Sequence, residues 1–127
     1  MIYYLNLEQV VLVHNSFIKH FGGTPGIRDI DVLLAAVEHP RASLFYQDVN
    51  LSLYDKAAAY LYHIAQGKPF IQGNSRTAFG CCLMFIQANW IEIKVNYSTL
   101  EDLAKEAAIG KVDKSRISKT LEFGLTS

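Results

Sequence analysis

Residues 68–77 read KPFIQGNSRT, a stretch that joins two segments with helical character. Gly73 allows a positive φ or a close approach of backbone to a ligand. Asn74 offers both a donor and an acceptor, Ser75 and Thr77 add hydroxyls, and Arg76 supplies a fork that matches phosphate oxygens. If a helix starts here, its free N–H groups and its dipole favour an anion at the same point. These residues therefore describe a phosphate nest. They also describe a Gly-Asn turn with a capping serine, and composition alone does not separate the two.

Outward from this stretch the chain reads as helix after helix. On the N-terminal side, Ser52 can cap a helix with Leu53, Ala57, Leu61 and Ile64 on one stripe, ending at Gly67. On the C-terminal side, residues 77–90 (TAFGCCLMFIQANW) are apolar nearly all round, the pattern of a central helix buried on most sides. Leu5, Val10, Val13, Phe17 and Phe21 predict a first helix, which the Gly- and Pro-rich run FGGTPGIRD (21–29) breaks. Asp29 can cap a second helix through Ile30, Leu33, Leu34 and Val37, stopping before Pro40. Residues 40–51 have no clean period and read as an ordered connection or a short strand-like flap. IEIKV (91–95) alternates like one short strand; a helix from Ser98 through Leu103 and Ala107 then stops at Gly110, and residues 112–123 supply a last one. The expectation is one all-α, mainly helical domain over residues 1–127, a compact bundle around a buried central helix.

Half of the residues are hydrophobic, 19% are charged and the formal net charge is zero. That composition excludes a disordered chain and argues against a general nucleic-acid or membrane-surface binder. No apolar run reaches the length of a membrane span, and the N-terminus has no signal-peptide pattern. Cys81 and Cys82 are adjacent, so on a helix they point about 100° apart and read as small buried hydrophobes rather than a pair. A reducing cytoplasm fits this usage. Tyr3, Tyr4, Tyr46, Tyr54, Tyr60 and Tyr62 read as half-buried packing residues, with no tyrosine–basic alternation to suggest direct nucleic-acid contact.

KPFIQGNSRTA (68–78) resembles the signature H-x-F-x-(D/N)-(A/G)-N-K-R-T-A of the Fic/Doc (Fido) family, in its Doc, or death-on-curing, branch. The likeness extends to LEQVVLVHNSFIKHFGGTPGIRD (7–29), similar to the family's first helix and its glycine turn, and to FIQANWIEIKV (85–95) and AAIGKVDKSRISKTL (107–121). It implies the Fido fold, ATP and Mg²⁺ as cofactors, and transfer of phosphate or AMP to a protein hydroxyl, in Doc-type toxins that of a translation elongation factor. It also implies a small Phd-like antitoxin whose C-terminal segment folds into a groove beside the loop, as in a type II toxin–antitoxin system. On this likeness Phe70, Gly73, Asn74, Ser75, Arg76 and Thr77 fall on nucleotide- and phosphate-binding positions. The AMP-transferring branch carries a second arginine where this chain has Phe79, which agrees with the Doc branch.

Three positions depart from the signature. Lys68 stands where the family has its catalytic histidine, and a lysine near its ordinary pKa of about 10.4 is charged at neutral pH and accepts no proton. Gln72 stands at the acidic metal position, where a neutral amide is a weak Mg²⁺ ligand. Ser75 replaces the loop lysine. Among other candidates, His63 on the preceding helix reads as a satisfied helical histidine or a relocated base, and His14 as structural or cleft-lining. His20 and His39 read as facing water, and Arg28 and Asp29 as loop-bracing and capping. Two functions follow: a Doc-like toxin with impaired or altered ATP-dependent transfer, or a Fido pseudoenzyme that binds nucleotide or protein without catalysis. The expected geometry is an anion site of Lys68, Arg76, Asn74 and backbone N–H groups at the start of the long helix.

Overall fold

The computed structural model describes residues 1–44, 47–48, 50 and 52–124. In order these form α1 (Leu7–Phe21), α2 (Ile30–Glu38), a 3₁₀ turn (His39–Arg41), β1 (Ser43–Leu44), β2 (Gln47–Asp48), α3 (Leu53–Gly67), α4 (Asn74–Ala88), α5 (Tyr97–Ala108) and α6 (Lys114–Phe123). The strands pair antiparallel, Ser43 with Asp48 and Leu44 with Gln47, so the flap segment contains a short hairpin. Tyr46 lies outside the described residues. The chain is mainly helical, as its periodicity predicts.

Short polar side chains set the helix starts. Asn6 and Gln9 form a reciprocal capping box on α1, as do Ser52 and Asp55 on α3. Asp29 accepts from the N–H groups of Asp31 and Val32, Asn96 from Thr99 and Asp113 from Arg116. Asn96 moves the start of α5 ahead of the Ser98 read from sequence. Lys68 closes α3 in the left-handed region at φ 50°. A residue before proline is pushed out of the right-handed helical region, and Pro69 follows.

The centre of the bundle is α3, which packs on α2, α4, α5 and α6. Ala57, Ala58, Ala59, Tyr60 and Leu61 are all fully buried. Eight residues of α3 are buried against six of α4, so the helix read from sequence as buried on most sides is not the one most enclosed. The alanines carry little hydrophobic signal, yet their small size lets neighbouring helices approach closely. Tyr60 receives the Leu5 N–H on its hydroxyl at 2.8 Å, and burial pushes its pKa up to about 12. That bond ties the N-terminal segment to α3, and Asn89 of the α4 terminus holds Tyr3 through both N–H and carbonyl.

Residues 91–95 form no strand. Ile91, Ile93 and Val95 pack partly against the core while Glu92 and Lys94 face out, so the alternation is real. The Lys94 N–H reaches the Leu121 carbonyl of α6 instead of a neighbouring strand. Cys81 and Cys82 are free and buried, and burial pushes both thiols up. Among the described residues no helix is long and apolar enough to cross a membrane.

Gly80 sits where α1 and α4 cross closely. A Cβ there would lie 2.6 Å from Phe17 Cε2 and 2.8 Å from Val13 Cγ1, so a larger residue would force those side chains to shift. Gly80→Val should lower stability by about 1–3 kcal/mol through overpacking. Urea denaturation would register this as a reduced midpoint with an unchanged slope.

Candidate functional site

The connection between α3 and α4 is irregular, so its backbone polar groups need partners from elsewhere. They are taken up one by one. Arg28 donates through Nε to the Lys68 carbonyl at 2.6 Å and through Nη2 to the Gly67 carbonyl at 2.9 Å. The N–H groups of Arg28 and Asp29 both reach the Pro69 carbonyl, and the Ile71 N–H reaches Gly26, around an isolated bridge between Ile27 and Phe70. Asn74 clamps Phe70 from both sides, accepting its N–H and donating to its carbonyl, each at 2.9 Å. His14 donates from Nε2 to the Gln72 carbonyl at 2.8 Å, which fixes that nitrogen as the protonated one.

Two side chains of the motif turn inward. Phe70 is buried and stacks on the His14 ring with centroids 3.8 Å apart and planes 6° from parallel. Thr77 is buried as well, and its hydroxyl has no partner among the described residues. Gln72 spends its amide oxygen on the Thr24 N–H at 2.6 Å, which binds the loop to the glycine turn. Gly73 precedes α4 at φ 80°, and a side chain there would also crowd Ile18 and His14.

What remains open is the start of α4. The other five α-helices are capped at the N-terminus by a side chain; α4 has no such cap and no acidic residue in its first turn. The N–H groups of Asn74, Ser75 and Arg76 thus have no intrahelical acceptor. A cavity of about 400 Å³ lies against this end, lined by Lys68, Gly73, Asn74, Ser75, Arg76 and Lys105 among others. Arg76 is exposed and its guanidinium sits 4.5 Å above the Phe21 ring, a cation–π contact that limits its freedom. The Lys68 ammonium crosses to α5 and donates to the Ala108 carbonyl at 2.6 Å, where it also meets the negative end of that helix.

The structure therefore brings Lys68, Asn74, Ser75 and Arg76 around one cavity and leaves Phe70, Gln72 and Thr77 away from it. Lys105 is the residue that sequence reading missed. It comes from α5 and pairs loosely with Glu101 at 3.9 Å, and nothing in its local sequence links it to the loop. Arg28 and Asp29 brace the loop and cap α2 as expected. His63 stacks on His39, and its Nε2 has no hydrogen-bond partner among the described residues, so it is not the satisfied histidine the sequence suggests. His39, expected to face water, is packed against it, whereas His20 is exposed and bonds the Ser16 carbonyl. A larger cavity of about 750 Å³ between α5 and α6 carries Asp102, Glu106 and Asp113 beside Lys111 and Arg116. Its mixed charges give no single ligand sign, so size alone does not make it the site.

The site thus combines a glycine turn paired to the loop, a histidine of α1 stacked on the loop phenylalanine and an uncapped helix behind Gly-Asn-x-Arg. Residues 4–86 match the Fic/DOC family, and the chain belongs to it. It is 29% identical over 118 residues to Protein kinase doc of Escherichia phage P1, covering 93% of this chain and 92% of that protein. It is 32% identical over 120 residues to Toxin Doc of Mycolicibacterium smegmatis, covering 93% and 90%.

The Asn74 clamp can be tested apart from any ligand. Asn74→Ala leaves the Phe70 N–H and carbonyl unpaired and should cost about 1–3 kcal/mol. Hydrogen exchange at the Phe70 amide should accelerate, while exchange at α6 amides stays as in the native protein.

Proposed function

We propose that this chain is a Doc-like toxin whose loop holds the phosphates of a nucleotide, ATP by family likeness, and whose histidine-dependent transfer step is lost. The observation that carries this reading is the state of position 68. An ammonium donating to the Ala108 carbonyl at 2.6 Å has no lone pair for a target hydroxyl. The phosphate-holding end is otherwise equipped: three uncapped N–H groups, Arg76 and Lys105 lie at one cavity, and among the described residues no carboxylate lines it. Bound ATP would supply the transferable phosphoryl or AMP group. The residues of this chain would anchor it, with the α4 N–H groups and the Arg76 fork on phosphate oxygens and Lys105 adding charge.

Mg²⁺ does not fit the donor set. Gln72 is neutral and its amide oxygen is engaged by Thr24, so the protein offers the ion no carboxylate at this position. Positive charge in the cavity comes instead from Lys68, Arg76 and Lys105.

The relatives' names favour a second reading, in which transfer persists with Lys68 recast as the base. Both readings include a Phd-like antitoxin. Leu12 on α1 and Ile30 and Leu34 on α2 are exposed apolar side chains of the first two helices, where its segment would fold. Both also place the chain in the cytoplasm, with a hydroxyl of a translation elongation factor as the family's type of target.

Labelled ATP decides between them. Purified protein, Lys68→Ala and Lys68→His would each be incubated with α- or γ-labelled ATP and a bacterial extract. The expected result is no transfer by the native protein and gained transfer by Lys68→His. Transfer by the native protein that vanishes in Lys68→Ala would establish the rebuilt base. Arg76→Ala should weaken ATP binding about tenfold in calorimetry, the loss of one charge-assisted contact, and unchanged affinity would refute the phosphate site.

A further inference from the structure

The 3₁₀ turn (His39–Arg41) leads into the hairpin, and its side chains are held by α3. The rings of His39 and His63 stack with centroids 3.7 Å apart and planes 25° from parallel, and Tyr62 meets His63 edge-on. His39 Nδ1 and His63 Nε2 are both buried, and neither has a hydrogen-bond partner among the described residues. Backbone bonds gather at the same point. The His39 carbonyl accepts from the Ala42 N–H at 3.1 Å and from Asn50 Nδ2 at 2.7 Å, so both ends of the hairpin meet on one residue. Asn50 is itself buried, and Lys56 Nζ of α3 donates to the Pro40 carbonyl at 3.4 Å.

Both imidazoles are kept neutral. Burial lowers the pKa of His63 to about 4, with His39 and Lys114 adding to the effect. Burial likewise lowers that of His39, again with Lys114 of α6 contributing. Lys114 is itself lowered by burial, and Asp55 of α3 partly offsets that; Asp55 is also held by the Ser118 hydroxyl at 2.6 Å. The remaining nearby cation on the turn, Arg41, lies over the Tyr4 ring. Near-parallel rings send their nitrogen lone pairs alongside one another rather than to a common point, so the pair is no metal chelate. No group of three or more metal-binding side chains occurs among the described residues.

We propose that the His39–His63 stack is an acid-sensitive clasp on the hairpin: a solvent proton taken up by either ring puts a charge beside Lys114 with no acceptor among the described residues, parts the rings and frees the turn from α3. This needs no nucleotide and stands apart from the function proposed for the loop. The sign follows from linkage. A histidine released to water regains a pKa of about 6.5, above its clasped value, so the opened state binds more protons. The clasp is at full strength above about pH 6.5 and weakens as the pH falls from there toward the clasped values.

Hydrogen exchange of the Ala42 amide, corrected for the intrinsic effect of pH, tests the proposal between about pH 7.5 and about pH 5. Protection in the native protein should fall by at least about tenfold, since each unit of pKa difference carries that factor. In the double variant His39→Phe/His63→Phe, which keeps two aromatic rings and no titrating nitrogen, protection should stay level across the same range. Leu61 in the middle of α3 serves as the internal control and should remain protected. The proposal is overturned by pH-independent protection of Ala42 in the native protein, by an equal fall in the double variant, or by a parallel fall at Leu61. Should the double variant not fold, the single variants His39→Phe and His63→Phe replace it, and each should show a smaller fall than the native protein. Native His39 and His63 ring signals that both titrate near 6.5 would also sink the idea.

Discussion

Every backbone polar group from Gly67 to Gln72 that the fold brings away from water has to find a partner without help from a helix or sheet. That constraint organises the molecule around the α3–α4 connection. The partners come from three separate stretches: the glycine turn with Arg28, the first turn of α4 through Asn74, and α1 through His14. Each stretch is thereby fixed relative to the others. The stacked His14 and Phe70 rings fill the space beneath, so the connection is irregular in its dihedrals and rigid in its placement.

A site follows from what this accounting leaves over. Most of the loop's own carbonyls and amides are committed, while the N–H groups that begin α4 have no acceptor within the helix. They face a cavity with cations from the loop, from α4 and from α5. Asn74, which the motif suggested as a ligand contact, is occupied in holding the loop, and Gln72 holds the glycine turn. Lys68 contributes positive potential while its ammonium is engaged by the end of α5. In the proposed reading, binding an anion is thereby separated from moving a proton.

The helical architecture was legible from the chain because it depends on local rules. Asp29 and Ser52 cap as their positions suggest, the stripe Leu53, Ala57, Leu61 and Ile64 turns inward, and Gly67 ends its helix. The family was legible because Phe70, Gly73, Asn74, Arg76 and Thr77 keep their spacing. Other features were hidden for physical reasons. The centrality of α3 rests on alanines, whose value lies in small volume rather than hydropathy. The alternation in residues 91–95 signals one buried face, and whether a strand lies alongside is a long-range matter. His39 reads as a helix-end residue near a proline, and only the packing of the turn on α3 places its ring on His63.

By itself, then, the sequence determined that the chain is mainly helical, roughly where each helix lies, and which chemical groups the α3–α4 loop lacks. These are properties of neighbouring residues, of capping, periodicity and side-chain type. Tertiary structure alone decided which carbonyl each braced group serves, that Lys105 joins the cavity, and that the Lys68 ammonium is spent on α5. Those outcomes depend on contacts between residues some forty positions apart, as between Lys68 and Ala108 or Arg28 and Lys68. Such contacts are fixed by helix packing, which no local pattern encodes.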